Sequence, residues 1–367
     1  MRKYLLPALV LCGLLTLPAN ALAAPACSIF SDGSGNFVVT SGCTTLRATQ
    51  SGTSLLNSAT IEEGVSAGNG IRFDVTNESG GLIFRGPSPR PLISAVDLRG
   101  GGTLTNSGTI GNGLTGDDSN GKVVIVTSLS SPGVLTNNIG GTIQGTVALT
   151  GDAATVVNRG SILSPGLTAG SGGVRLEGAN ATLTNSGLIA AGIQGIGVAS
   201  GFFGGANYTN ESGGRIEGDL VGARILQGGT LTNSGTIIGT GPFADGLFIN
   251  EQAVTVVNQE GGLIQGVGGS GIRNSTPTSA GPLPISKADT FPNRLILTNR
   301  GAITGAQYGI RLDSGDFPGG AHSITNSGTI SGGVGIRSDM DIGITNSGTI
   351  TGTSGSGLLL NRGTVTN

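Results

Sequence analysis

The string Thr-Asn-Ser-Gly-Thr-Ile occurs four times, at residues 105–110, 232–237, 325–330 and 345–350. Looser copies fall at 157–162, 184–189 and 298–303, and again at 76–83, 209–216 and 257–264. The last three insert a residue or two, as in Asn77-Glu78-Ser79-Gly80-Gly81-Leu82-Ile83. Asn57, Asn137 and Asn361 mark further variants. About thirteen copies therefore run from residue 55 to the end, mostly about 20 to 30 residues apart, which is the period of stacked supersecondary units.

A second motif falls between the copies: Gly-Ile-Arg-Phe at 70–73, Gly-Val-Arg-Leu at 173–176, Gly-Ile-Arg at 271–273, Gly-Ile-Arg-Leu at 309–312 and Gly-Ile-Arg at 335–337. One repeat is thus two or three short strands separated by turns. Strand alternation puts Leu104, Asn106 and Ile110 on one face and Thr105 and Thr109 on the other. The same rule buries the Ile and Leu of Gly-Ile-Arg-Leu and turns each Arg to solvent. No single coil buries its apolar face alone, but the next coil stacked on it does. Asn and Gly supply the corners, since both tolerate left-handed backbone, and inward asparagines at equivalent corners can form hydrogen-bonded ladders. Helix is disfavoured because 70 of 367 residues are glycine, each costing about 1 kcal/mol relative to Ala inside a helix. The expectation is all-β: a right-handed parallel β-helix, a β-solenoid of about thirteen coils. A sandwich of stacked hairpins is the rival all-β arrangement.

The run Leu/Ile-Thr-Asn-Ser-Gly-Thr-Ile followed by Gly-x-Gly-Ile-x-Leu resembles the repeat of Gram-negative type V autotransporter passenger regions, the pertactin-like and adhesin-type β-helices. The resemblance covers nearly all of residues 50–367. It implies a surface-associated or secreted stalk or adhesin-like surface, with host or environmental surface glycans or proteins as partners. It also implies a C-terminal membrane β-barrel translocator. The chain stops at Thr364-Val365-Thr366-Asn367 without one, so the expectation is a passenger segment truncated at its C-terminus. Without the barrel, a periplasmic product is the alternative. Filamentous-haemagglutinin-like exoproteins use Asn-x-Gly repeats too, but the Asn-Pro-Asn-Gly segment of their secretion domain is missing.

The N-terminus reads as a secretory signal peptide over residues 1–23, ahead of the repeats. Arg2 and Lys3 are positive, residues 5–17 are apolar but too short for a lasting membrane anchor, and Ala21-Leu22-Ala23 offers a cleavage site. Cleavage removes two of 19 basic residues, leaving 17 against 21 acidic and a net charge of −4. That balance is no footprint for nucleic acid. Cys27 and Cys43 remain, both within a cap expected over residues 24–50, ahead of a β-helix over 51–367. In an oxidising compartment they are expected to pair, constraining the unfolded chain by about 3 kcal/mol in the entropic account.

Parallel β-helices also carry polysaccharide lyases and hydrolases, so acids and bases matter. Asp117, Asp118, Asp313 and His322, the single histidine, are the candidates for that alternative. Gly116-Asp117-Asp118-Ser119-Asn120-Gly121 reads first as a polar turn, and the Asn-Thr-Asp, Gly-His-Gly and Arg-Ile-Lys signatures of polygalacturonases are missing. His322 reads as a solvated turn residue. Neither a metal-ligand set nor a cofactor motif is found: Arg337 stands where a calcium nonapeptide needs Asp. The expectation is a non-enzymatic protein without cofactors, or an inert fragment of a longer one. Binding is expected on loops that interrupt the repeat, at 84–92, at 201–205 with Phe202 and Phe203, and at 274–293 with Pro277, Pro282, Pro284 and Phe291.

Overall fold

In a computed structural model the chain is all-β, a stack of parallel coils. The structure describes residues 30–31, 36–84, 94–111, 122–126, 132–164, 172–191, 196–200, 205–226, 228–250, 253–275, 294–313 and 321–367. The residues read as a signal peptide lie outside them.

One coil supplies three strands, one to each of three faces. Gly102–Asn106 lies on face a, Thr109–Gly111 on face b and Lys122–Val126 on face c. The next coil repeats the order with Gly133–Asn137, Thr142–Gln144 and Thr146–Leu149. Equivalent strands pair in parallel and in register, Leu104 with Leu135 and Ile110 with Ile143. Thirteen such coils stack among the described residues, from Phe37–Val39 to Leu358–Thr366. The first, over residues 37–48, falls within the segment expected to be a cap. Among the described strands only Phe30–Ser31 departs from the pattern, pairing antiparallel with Phe37–Val39. At about 4.8 Å per coil the stack is about 60 Å long. In the last coils Val334–Asn346 and Leu358–Thr366 run unbroken from face c into face a, so these two faces share one sheet. Face b stays a separate sheet of twelve strands.

The alternation read from the repeat determines what each column holds. On face b the inward position is isoleucine in twelve successive coils, Ile61, Ile83, Ile110, Ile143 and onward to Ile350. In the first coil Cys43 takes that place, bridged to Ile61 and wholly buried. On face a the central inward column begins at Phe37 and continues as Leu, Val or Ile, with Tyr208 standing between Leu183 and Leu231. Face c answers the larger ring with a smaller residue, Ala223, where the next coil has Leu247. Matching large with small keeps a stacked core at native density.

The asparagine that ends each face a strand points inward, as its parity with the leucine requires. Thirteen of them form one ladder from Asn57 to Asn367. Each Nδ2 donates to the Oδ1 of the next coil at 2.7–2.8 Å. Nδ2 also reaches a carbonyl of its own corner, as from Asn106 to Gly108 and from Asn210 to Gly214. A buried primary amide costs several kcal/mol if left unpaired, and the ladder pairs it. Asn361, read as a variant copy, is not a corner. It is an exposed residue within the last strand, and the final rung is Asn367.

Two corner lengths alternate irregularly. In the shorter, Asn106-Ser107-Gly108 leads straight into Thr109; a Cβ on Gly108 would meet the Asn77 Nδ2 at 2.8 Å. In the longer, as at Asn77-Glu78-Ser79-Gly80-Gly81, Gly80 turns the chain at a φ of 86°.

Candidate binding face

The positions of the length changes single out one face. From Asn57 onward, face a passes to face b through two or four residues in every coil. Residues 85–93, 112–121, 165–171 and 192–195 all fall between a face b strand and the following face c strand. Residues 127–131, 201–204, 276–293 and 314–320 all fall between a face c strand and the following face a strand. All of the long interruptions therefore border face c.

Face c also carries a stacked column of cations and rings. In register from coil to coil stand Arg224, Phe248, Arg273, Arg311 and Arg337. The guanidinium carbons of Arg224 and Arg273 lie 5.6 and 5.7 Å from the centroid of the Phe248 ring. Those of Arg311 and Arg337 lie 5.3 and 5.9 Å from Tyr308. Such contacts contribute about 0.5–1 kcal/mol each at exposed sites, and they hold long side chains in a fixed pose.

The glycine of the Gly-Ile-Arg motif explains how these strands sit so close to face b. A Cβ on Gly271 would meet the Gly309 carbonyl oxygen and the Ile303 Cγ2 at 2.7 Å. On Gly309 and Gly335 it would stand 2.8 Å from the Cγ2 of Ile330 and Ile350. Face c is thus locked against the isoleucine column of face b, and the arginines two residues on project from a rigid sheet.

Carboxylates hold one side of the column. Asp313 Oδ1 accepts from Arg311 Nε at 2.7 Å, while its Oδ2 lies 3.5 Å from Arg273 Nε. Asp339 takes the Arg337 Nη2 at 3.0 Å. Asp245, buried beneath, accepts from the Ser270 backbone N–H at 2.7 Å and lies 3.9 Å from Arg273 Nη1. Burial raises its pKa above the ordinary carboxylate value, against the lowering effect of the Ser270 and Arg273 contacts. Asp97, on face c of the third coil, is also raised by burial, with Arg99 opposing. Among the described residues Arg273 and Arg311 find no hydrogen-bond acceptor for their terminal nitrogens, and their side chains stay 38% and 28% exposed.

Asp313 and His322, two of the acids and bases weighed for catalysis, are held by different partners. Asp313 is engaged by the two arginines above. His322 is not a solvated turn residue: it opens the face a strand His322–Asn326, is 3% exposed, and stacks in the inward column with Leu295 and Ile342. Its Nδ1 accepts from the Leu295 backbone N–H at 3.0 Å, so Nε2 carries the proton. Burial, reinforced by Arg294, lowers its pKa to about 4. Sequence reading missed this because the three residues before His322 are glycine, glycine and alanine, which look like a turn. Asp117 and Asp118 lie outside the described residues. So do Phe202, Phe203, Pro277, Pro282, Pro284 and Phe291. Cys43 is disulfide-bonded, and Cys27 lies outside the described residues. Among the described residues, no three of His, Cys, Asp and Glu are gathered as metal ligands, and no helix is long and apolar enough to cross a membrane.

The Gly-Ile-Arg motif pointed to Arg273, Arg311 and Arg337, but the column is longer. Val221-Gly222-Ala223-Arg224 and Asp245-Gly246-Leu247-Phe248 share its spacing, and lining up the glycines would have found both. Comparison with family models, curated proteins and solved structures finds no match.

Proposed function

We propose that this chain is a non-enzymatic, exported contact scaffold, an autotransporter-passenger-like stalk whose face c meets surface glycans or proteins. One observation carries the reading: the long interruptions of a regular stack of coils all lie along the two borders of a single face, and that face bears an ordered column of arginines and aromatic rings. A scaffold with one decorated face suits contact, because the repeat supplies rigidity and the borders supply variation. The signal-like residues 1–23 and the resemblance of the repeat to adhesin-type passengers support export and surface display.

The test compares attachment of cells carrying and lacking the gene to several glycan-coated and protein-coated surfaces. Reduced attachment of the deleted strain, restored by the intact gene, is the expected outcome. Equal attachment on every surface contradicts the reading. Release of reducing ends or unsaturated products from a polysaccharide panel by the purified protein would favour a carbohydrate-active enzyme instead.

A further inference from the structure

We infer that the column Arg224, Phe248, Arg273, Arg311 and Arg337 on face c is a binding strip for a linear acidic polysaccharide running along the stack, with a carboxylate or sulfate on successive sugars. The inference rests on the contact-scaffold reading and names the partner class of that same face.

Three features lead to it. First, the strip is periodic. Neighbouring coils are about 4.8 Å apart, and Arg273, Arg311 and Arg337 set one arginine on each of three successive coils in register. One pyranose ring with its glycosidic oxygen spans close to one such rise, which lets successive sugars meet successive coils. An extended acidic peptide fits less well, since its same-side groups recur every 6.6–6.8 Å or about two residues of strand.

Second, the guanidiniums are pre-set. Asp313 takes the Nε edge of Arg311 and approaches that of Arg273, Tyr308 lies against Arg311 and Arg337, and Phe248 lies beside Arg224 and Arg273. The outward edges of Arg273 and Arg311 keep terminal N–H groups without an acceptor among the described residues. A guanidinium edge of this kind receives a carboxylate or sulfate through two parallel hydrogen bonds, and a side chain already held loses less entropy on binding.

Third, the charge density is moderate. Asp245, Asp313 and Asp339 lie among the four arginines, and the whole chain is acidic, with a pI near 5.4. Nucleic acid, with its dense phosphates, selects strongly basic surfaces. A uronate chain carries one charge per sugar and needs only a matched spacing. Pairing face c with face c of a second copy would set arginine against arginine.

The experiment is calorimetric titration of the full chain with polygalacturonate, with its carboxyl-reduced neutral counterpart, and with single-stranded DNA of equal charge. Binding of polygalacturonate alone is expected, weakened tenfold or more between about 50 and 300 mM salt. Arg273→Gln combined with Arg311→Gln should weaken it at least tenfold, and Arg175→Gln, on the same face two coils below Arg224, less than twofold. If the double Gln variant melts early because Asp313 loses both partners, Arg273→Lys with Arg311→Lys keeps the charge and removes the fork. It should still bind several-fold more weakly than the parent. Equal binding of the reduced glycan, parental affinity in both double variants, or tighter binding of DNA would each overturn the inference. No polygalacturonate binding by a protein that still mediates attachment sinks the strip and spares the scaffold; binding followed by cleavage spares the strip and sinks the scaffold.

Discussion

Eleven of the ladder asparagines, from Asn57 to Asn326, have no solvent exposure at all, and each after Asn57 serves its neighbours on both sides. Replacing Asn158 with Ala removes the donor to Asn185 Oδ1 and the acceptor for Asn137 Nδ2. Asn185 then keeps a buried oxygen without that donor, so a loss of about 2–4 kcal/mol is expected in denaturant unfolding. Asn158→Asp should be worse, because a carboxylate cannot donate onward and adds a buried charge. His322 gives a pH signature. Its folded pKa near 4 lies below its ordinary value of 6.5, so the unfolded chain binds the proton first as pH falls. The stability it contributes is complete above about pH 6.5 and declines through the window down to about 4, a loss of about 2 kcal/mol by pH 5. His322→Leu should flatten that slope between pH 7 and 5 in matched denaturation curves. Ala153 holds a φ of 53° at a corner, a conformation costing a non-glycine residue about 1–2 kcal/mol. Ala153→Gly should therefore raise the unfolding midpoint slightly, even after the added freedom of glycine in the unfolded chain.

At the scale of the strand and its corner, the glycines decide how closely the faces approach. Gly271→Ala drives a methyl into the Gly309 carbonyl and the Ile303 side chain, and neither can move without breaking register. A loss of about 1–3 kcal/mol is expected, with amide exchange faster in the adjoining coils than in distant ones, since repeats couple mainly to their neighbours. Much of this level was legible in the sequence. The parity of Leu104, Asn106 and Ile110 already placed all three inside, and the arginine of Gly-Ile-Arg outside. What was not legible depends on alignment between coils rather than on any one segment. His322 becomes a core residue only when its strand is laid beside Val254–Asn258 and Leu295–Asn299. Phe248 becomes part of the arginine column only once Gly246 is lined up with Gly222 and Gly271. Asn361 resembled a corner because it precedes Arg362-Gly363, yet its strand runs straight through and the ladder closes two coils of spacing on from Asn326 at Asn367.

Across the whole molecule, equivalent residues of successive repeats lie side by side in parallel register, which creates the ladder, the isoleucine column and the arginine strip together. Engineered disulfides test it most directly. Thr184 and Thr209 are in-register partners on the outer side of face a, whereas Asn207 pairs with Thr182, two residues away. Adjacent parallel strands place partner Cα atoms about 4.8 Å apart, within the range a disulfide spans, while a two-residue offset exceeds the limit of about 7 Å. Under mild oxidation, Thr184→Cys with Thr209→Cys should form an intramolecular cross-link in high yield by mass spectrometry, and Thr184→Cys with Asn207→Cys should not. Cross-linking of the offset pair in preference to the registered one would contradict the stacked β-helix and everything built on it.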